Sequence, residues 1–268
     1  MYNAFKRLAE SYGVVIQYNT TVTKVCPNGV YCIESCESDN EGAQSASNAT
    51  WIPSNLVVVN ADLPYALNTM LNWERTDKDD VSKIIYDWDQ KFDYSSGVIA
   101  FHWCISRPLD ELNTHNVFLC SENTTEAKKS WAVLRTTPTK TETPLCIVQE
   151  PFNFYVHRPC KSDPSAAPDG YESLTILVPC QTLNHRAELG KVRKIDSMKV
   201  YRTQFDDEHV SKVREAVLTR LSVLKVLENL KDAILYESID TPATYADKYN
   251  LAAGTPFGLV SAPLVGLL

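Results

Sequence analysis

The sequence predicts an α/β chain, of the α+β kind, built around one large mixed sheet, and three observations carry that prediction. Helical and strand patterns alternate along the chain, short apolar runs are bounded by turn residues, and one long stretch, 208–230, carries apolar residues at spacings of three and four. Residues 3–11 read as a short helix with Phe5, Leu8 and Ala9 on one face, stopped by Gly13, and residues 14–17 as an alternating strand. Residues 20–25 are β-branched and alternating, Pro27-Asn28-Gly29 is a turn signal, and 30–34 return as the second strand of a hairpin. The polar stretch 37–49 is an exposed loop. The continuous apolar run 56–60 predicts a strand buried on both faces, and 62–72 a helix with Pro64 in its first turn.

The charged region 76–94 is surface, and 95–106 is a strong strand through Val98, Ile99, Phe101 and Trp103. Strands follow at 117–120, 152–157 and 174–178, with a loop over 161–171. Val213, Val217, Leu221, Leu224, Leu227 and Leu230 line one face of the 208–230 helix, with Asp206-Asp207 as favourable charge at its start. A strand over 234–239 follows, and no internal repeat is present.

Composition narrows the function. With 268 residues, 44% of them hydrophobic, 22% charged and a net charge of −7, the chain is a folded protein without the basic surface that nucleic acid requires. The basic cluster at Lys191–Lys194, Lys199 and Arg202 reads as a solvated loop. The eight cysteines include no C-x-x-C pair and read as free thiols. His102, His115, His157, His185 and His209 have no partners at ligand spacing, so no metal site is expected. Asn19, Asn48 and Asn123 begin short glycosylation patterns that chance alone produces. Residues 1–13 are polar and amphipathic, unlike a signal peptide, and no run of 18 apolar residues exists. There is no G-x-S-x-G, H-E-x-x-H, P-loop or G-x-G-x-x-G, so the residues by themselves name no reaction or catalytic side chain.

Longer strings say more. Phe154-Tyr-Val-His-Arg-Pro-Cys-Lys-Ser-Asp-Pro-Ser-Ala-Ala-Pro-Asp-Gly170, followed by Leu174-Thr-Ile-Leu-Val-Pro-Cys180, closely resembles a segment of the bacterial and fungal type of phytoene desaturase. Val57-Val-Val-Asn-Ala-Asp-Leu-Pro-Tyr65, Ser95-Ser-Gly-Val-Ile-Ala-Phe-His-Trp103, His115-Asn-Val-Phe-Leu119 and Tyr249-Asn-Leu-Ala-Ala-Gly-Thr-Pro-Phe-Gly-Leu259 agree in order.

The resemblance implies a partial two-lobed, FAD-dependent fold of the flavin amine-oxidase superfamily. Its expected division is a partial FAD-binding lobe at 1–66, a substrate lobe at 67–245 and a shortened return segment at 246–268. By resemblance, Val22 lies on the strand meeting the adenine end of FAD, and Asn60, Ala61 and Asp62 on the turn returning to the flavin. Phe101, Trp103, Phe154 and Phe257 are the expected substrate-binding residues.

The implied activity is FAD-dependent desaturation of phytoene or a related long polyene. A carotene isomerase of the same fold, or a non-catalytic remnant binding apolar lipid or a partner protein, is the alternative. The family's Gly-rich dinucleotide loop and Gly-rich C-terminal flavin segment have no counterpart in these residues, so the chain is expected to hold FAD poorly and to be inactive alone. Its partners are expected to be an apolar polyene and a membrane surface, met peripherally, with an organelle as one setting.

Overall fold

The computed structural model describes residues 2–34, 49–71, 93–110, 112–120, 123–133, 153–183, 205–223, 227, 229–251 and 253–260. The expected loop at 37–49, nearly all of the charged region 76–94, the basic cluster near 191–202, Cys36, Cys146 and His185 lie wholly or largely outside them. The chain divides into two compact units, Met1–Asp87 and Trp88–Leu268.

The first unit starts with helix α1, Tyr2–Ser11. Gly13, at φ +79°, turns the chain in the left-handed region that glycine adopts without cost, and the Val14 N–H returns to the Ala9 carbonyl at 3.1 Å. The helix is present as expected, but no residue of α1 is buried. Residues 14–17 depart from the expected strand. They are exposed and enter no ladder among the described residues.

Strands β1 (Thr20–Cys26) and β2 (Gly29–Glu34) form the expected antiparallel hairpin across Pro27-Asn28, with Cys26 opposite Gly29. Strand β3, Thr50–Pro53, pairs with the other edge of β2. Gly29 is required twice over: its φ is +154°, and a Cβ there would collide with the Ile52 carbonyl and the Trp51 ring. The run 56–60 is corrected. It is extended but unpaired among the described residues, with Leu56 and Val58 exposed and Val57 and Val59 turned onto a small cluster of Val25, Ala66 and Met70. An apolar run fixes what can be buried; the alternation of an extended chain decides which half is. Asp62 then caps helix α2, Leu63–Tyr65, accepting from the Tyr65 N–H at 3.0 Å, and the chain continues as a π-turn over Ala66–Met70.

In the second unit the pairings described are all antiparallel, so the expected single mixed sheet is corrected to separate antiparallel sheets. Residue patterns reveal strands but not their directions. Strand β4 (Asp93–Tyr94) belongs to a two-stranded sheet with β10 (Leu259–Val260). The main sheet holds β5 (Gly97–Ile105), β6 (Asn116–Leu119), β7 (Phe154–His157), β8 (Glu172–Cys180) and β9 (Ile234–Asp240) in the order β6-β7-β8-β5-β9. The central pair, β5 and β8, is in register along all of both strands, from Gly97 opposite Cys180 to Ile105 opposite Glu172.

Alternation along each strand sends Phe101, Trp103, Phe154, Leu174 and Ile176 to one face. There they meet Val210, Val213, Val217 and Leu221 of a long helix. Helix α3, Thr124–Val133, precedes it in the chain, and the expected helix at 208–230 is two pieces: α4 (Asp207–Val223) and a short α5 (Leu230–Ala233). Asn229 in left-handed conformation, φ +61°, sets the second piece off. Asp206 caps α4 through the His209 N–H at 2.8 Å, the role its position suggested.

Where β7 ends and β8 begins, a buried ion pair joins Arg158 and Glu172, and Arg158 also donates to the Leu112 carbonyl. Helix α6, Pro242–Tyr249, is not foreshadowed by apolar periodicity; a capping box of Thr241 and Thr244 starts it and Asn250 in left-handed conformation ends it.

Candidate functional site

The face of the five-stranded sheet opposite the α4 core is the surface with chemistry on it. Register lines up two rows there. One row runs Phe118, Tyr155, Leu177, Ala100 and Asp240; the next runs Asn116, His157, Thr175, His102 and Ser238. Phe118 is 73% exposed, while Tyr155, His157, Thr175, Leu177 and His102 are half-exposed. The Phe118 and Tyr155 rings lie 5.0 Å apart and are tilted by 45°, so the β6–β7 end offers an aromatic pair.

The two ends of the second row are polar and separately organised. At the β5–β9 end, His102 Nδ1 is 3.3 Å from Thr175 Oγ1 and His102 Nε2 is 3.5 Å from Asp240 Oδ2. Lys248 on α6 completes the group, donating to Asp240 Oδ1 at 2.9 Å. Burial, with the charge of Asp240 beside it, pushes the Tyr245 phenol up to about 12, so it remains protonated at every physiological pH. At the β6–β7 end, His115 Nε2 and His157 Nε2 are 2.7 Å apart, and Ser162 Oγ stands 2.6 Å from His115 Nδ1. Burial, then the neighbouring His115, pushes the His157 imidazolium below its ordinary 6.5, which keeps the ring neutral near pH 7. These pairings were invisible in the sequence, because 42 positions separate the two histidines and only the β6–β7 register joins them.

The residues expected from the sequence fall in three places. Phe101, Trp103 and Phe154 are no more than 2% exposed and sit in the core against α4, on the face opposite the histidines. Phe257 is 59% exposed and its N–H donates to Thr255 Oγ1 at 3.2 Å, beside Ser95 and Gly258. Val22 faces the Val25–Ala66–Met70 cluster, which Val57 and Val59 also join. The first unit thus brings Val22 and the segment leading to Asn60, Ala61 and Asp62 around one small cluster.

These four residues fit part of FAD. A valine on a strand and an exposed turn can flank a ring or a ribose, but a pyrophosphate needs close backbone approach at a strand-to-helix turn. The sequence contains no G-x-G-x-x-G. The turn into α2 carries an anion, Asp62, whose carboxylate already occupies the Tyr65 N–H. It is therefore unsuited to a phosphate, and no cradle for one is found among the described residues.

No protein-family model matches the chain. The phytoene desaturase of Fusarium fujikuroi is 32% identical over 217 residues, 80% of this chain and 34% of that protein. The phytoene desaturase of Neurospora crassa is 30% identical over 258 residues, 96% of this chain and 38% of that protein. The 4,4'-diapolycopene oxygenase of Methylomonas is 24% identical over 262 residues, 97% of this chain and 43% of that protein. This chain is similar to carotenoid desaturases over most of its own length and spans little more than a third of the length of the fungal phytoene desaturases it matches.

Proposed function

We propose that this chain carries the polyene-facing wall and part of the flavin-facing surface of a carotenoid oxidoreductase that desaturates phytoene or a related long polyene. The relationship to phytoene desaturases over 80–96% of the chain carries the reading. A polyene has no polar handle, so it is held by buried apolar area at about 25 cal/mol per Å². Phe118, Tyr155 and Leu177 supply contiguous aromatic and aliphatic surface at the exposed end of the sheet. Phe101, Trp103 and Phe154 hold that strand array flat from behind, and we assign them to positioning rather than to substrate contact. Phe257 remains an exposed apolar contact for polyene or lipid.

Desaturation removes hydrogen from a saturated carbon pair and so needs an oxidant; FAD, the cofactor the sequence resemblance implies, supplies that chemistry when bound. Val22 and Asn60–Asp62 are its proposed contacts in this chain, with the pyrophosphate held by other residues. Because the substrate dissolves in bilayers, we further propose peripheral contact with a membrane surface. Among the described residues no helix is long and apolar enough to cross one.

The test is the visible absorption spectrum of the purified chain after incubation with FAD and removal of free flavin. Retained bands near ~450 nm, typical of bound flavin, followed by loss of phytoene in a coupled assay, support the reading. A colourless protein that leaves phytoene unchanged points instead to a non-catalytic relative. Flotation with liposomes tests the membrane contact, and protein remaining wholly in the aqueous fraction overturns it.

A further inference from the structure

We propose that His115 and His157 form a two-histidine site for one divalent transition-metal ion, zinc or copper by ligand chemistry. This inference stands apart from the desaturase reading and survives or fails without it. Three features carry it.

First, the two Nε2 atoms converge on one another at 2.7 Å, with the rings tilted by 46°. Both cannot carry a proton at that distance, so at most one bridging hydrogen lies between them. An ion with both nitrogens at about 2.0–2.1 Å and a tetrahedral angle holds them about 3.3 Å apart. The pair therefore needs to open by only about 0.6 Å to exchange the bridging proton for a cation, a displacement within reach of small side-chain rotations.

Second, His115 is oriented from behind. Ser162 Oγ stands 2.6 Å from Nδ1, and in the tautomer where it accepts the Nδ1–H the Nε2 lone pair of His115 faces His157. The backbones are held as well. His157 lies in register between Asn116 of β6 and Thr175 of β8, and the His115 carbonyl accepts from the Arg158 N–H at 2.8 Å.

Third, the pair is accessible. Both rings are half-exposed, so water can reach the remaining coordination positions. Among the described residues no three His, Cys, Asp or Glu side chains stand close enough to share an ion. The site is thus a two-nitrogen site completed by water, with imidazole chemistry that suits zinc and copper.

The test is equilibrium titration of the whole chain with Zn²⁺ and, separately, Cu²⁺, with electron paramagnetic resonance of the Cu²⁺ form. The wild-type chain is expected to bind one ion, with two imidazole nitrogens in the copper spectrum. His115→Gln and His157→Gln should each weaken binding by at least tenfold and leave one nitrogen. Ser162→Ala removes an exposed hydroxyl from outside the site and should weaken binding about tenfold by freeing the His115 ring. Circular dichroism identifies any variant that has lost its fold, and Ser162→Ala then decides the matter by itself. Absence of binding to the wild-type chain at millimolar metal overturns the proposal. So does binding of undiminished affinity in both histidine variants, or an unaltered affinity in Ser162→Ala where the histidine variants do not fold.

Discussion

The two units of this chain use their apolar residues in opposite ways. In the second, sheet and helix enclose Phe101, Trp103, Ile105, Leu174, Ile176 and their neighbours in one continuous core. In the first, the buried cluster is Val25, Ala66 and Met70, while Tyr2, Phe5, Leu8, Tyr12, Val15 and Leu56 are exposed. Similar residue types thus give a dense interior in one unit and a largely open apolar surface in the other. The difference teaches where stability originates. Among the described residues, burial is concentrated in the second unit, and the first shows a small cluster beside caps, turns and a short hairpin.

The comparison breaks most visibly in the core. Trp103→Ala removes a buried ring and the hydrogen bond from its indole N–H to Glu237, and should cost about 3–5 kcal/mol in chemical denaturation. A cost near zero would mean that the second unit is not held by its core.

The buried Arg158–Glu172 pair sharpens the contrast by pH. Burial alone would raise the Glu172 carboxyl, but hydrogen bonding and charge from Arg158 outweigh it and hold the group below its ordinary 4.5. The pair's contribution is therefore complete above pH 4.5 and is lost as pH falls through the lower folded value. Breaking it at neutral pH by Arg158→Met should cost about 3–5 kcal/mol, because the carboxylate stays buried without its partner. The variant should lose the acid-dependent part of the transition seen in the wild type.

Smaller effects belong to the first unit. Asp62→Ala deletes the α2 cap and should cost about 1 kcal/mol, read as faster amide exchange over residues 63–70. Phe5→Ala, on a helix without a buried residue, should change stability by less than about 0.5 kcal/mol. If Phe5→Ala instead costs more than the Asp62 variant, α1 is packed after all and the distinction between the units fails.

Most of the main sheet was legible in advance, for a physical reason. In residues 95–106 and 234–239, β-branched and aromatic side chains are bounded by clear turn residues, and both became strands within two residues of the expected ends. The Asn28-Gly29 hairpin was equally plain. The run 56–60 misled because continuous apolar character signals burial only where a second layer exists to cover it. Helix α6 escaped notice because Thr241 and Thr244 define it through capping and not through an apolar stripe. The histidine row was hidden for a different reason: strand register, which sequence patterns do not carry, brings His115 to His157 and His102 to Asp240. The expected aromatic trio was found on the sheet, but the pleat turned Phe101, Trp103 and Phe154 inward together.

The small pairing of β4 with β10 has a consequence for how the second unit is handled as material. Tyr94 lies opposite Leu259 and Asp93 opposite Val260, so the segment from Asp93 to Val260 begins and ends at neighbouring points about 5 Å apart. Ser95 and Thr255 lock the gateway from inside, their hydroxyls 3.1 Å apart and the Ser95 N–H on the Gly258 carbonyl. A segment with adjoining entrance and exit behaves as a cassette. It can be spliced into a surface loop of a host protein, or joined end to end into a circle, with only a short bridge at the seam.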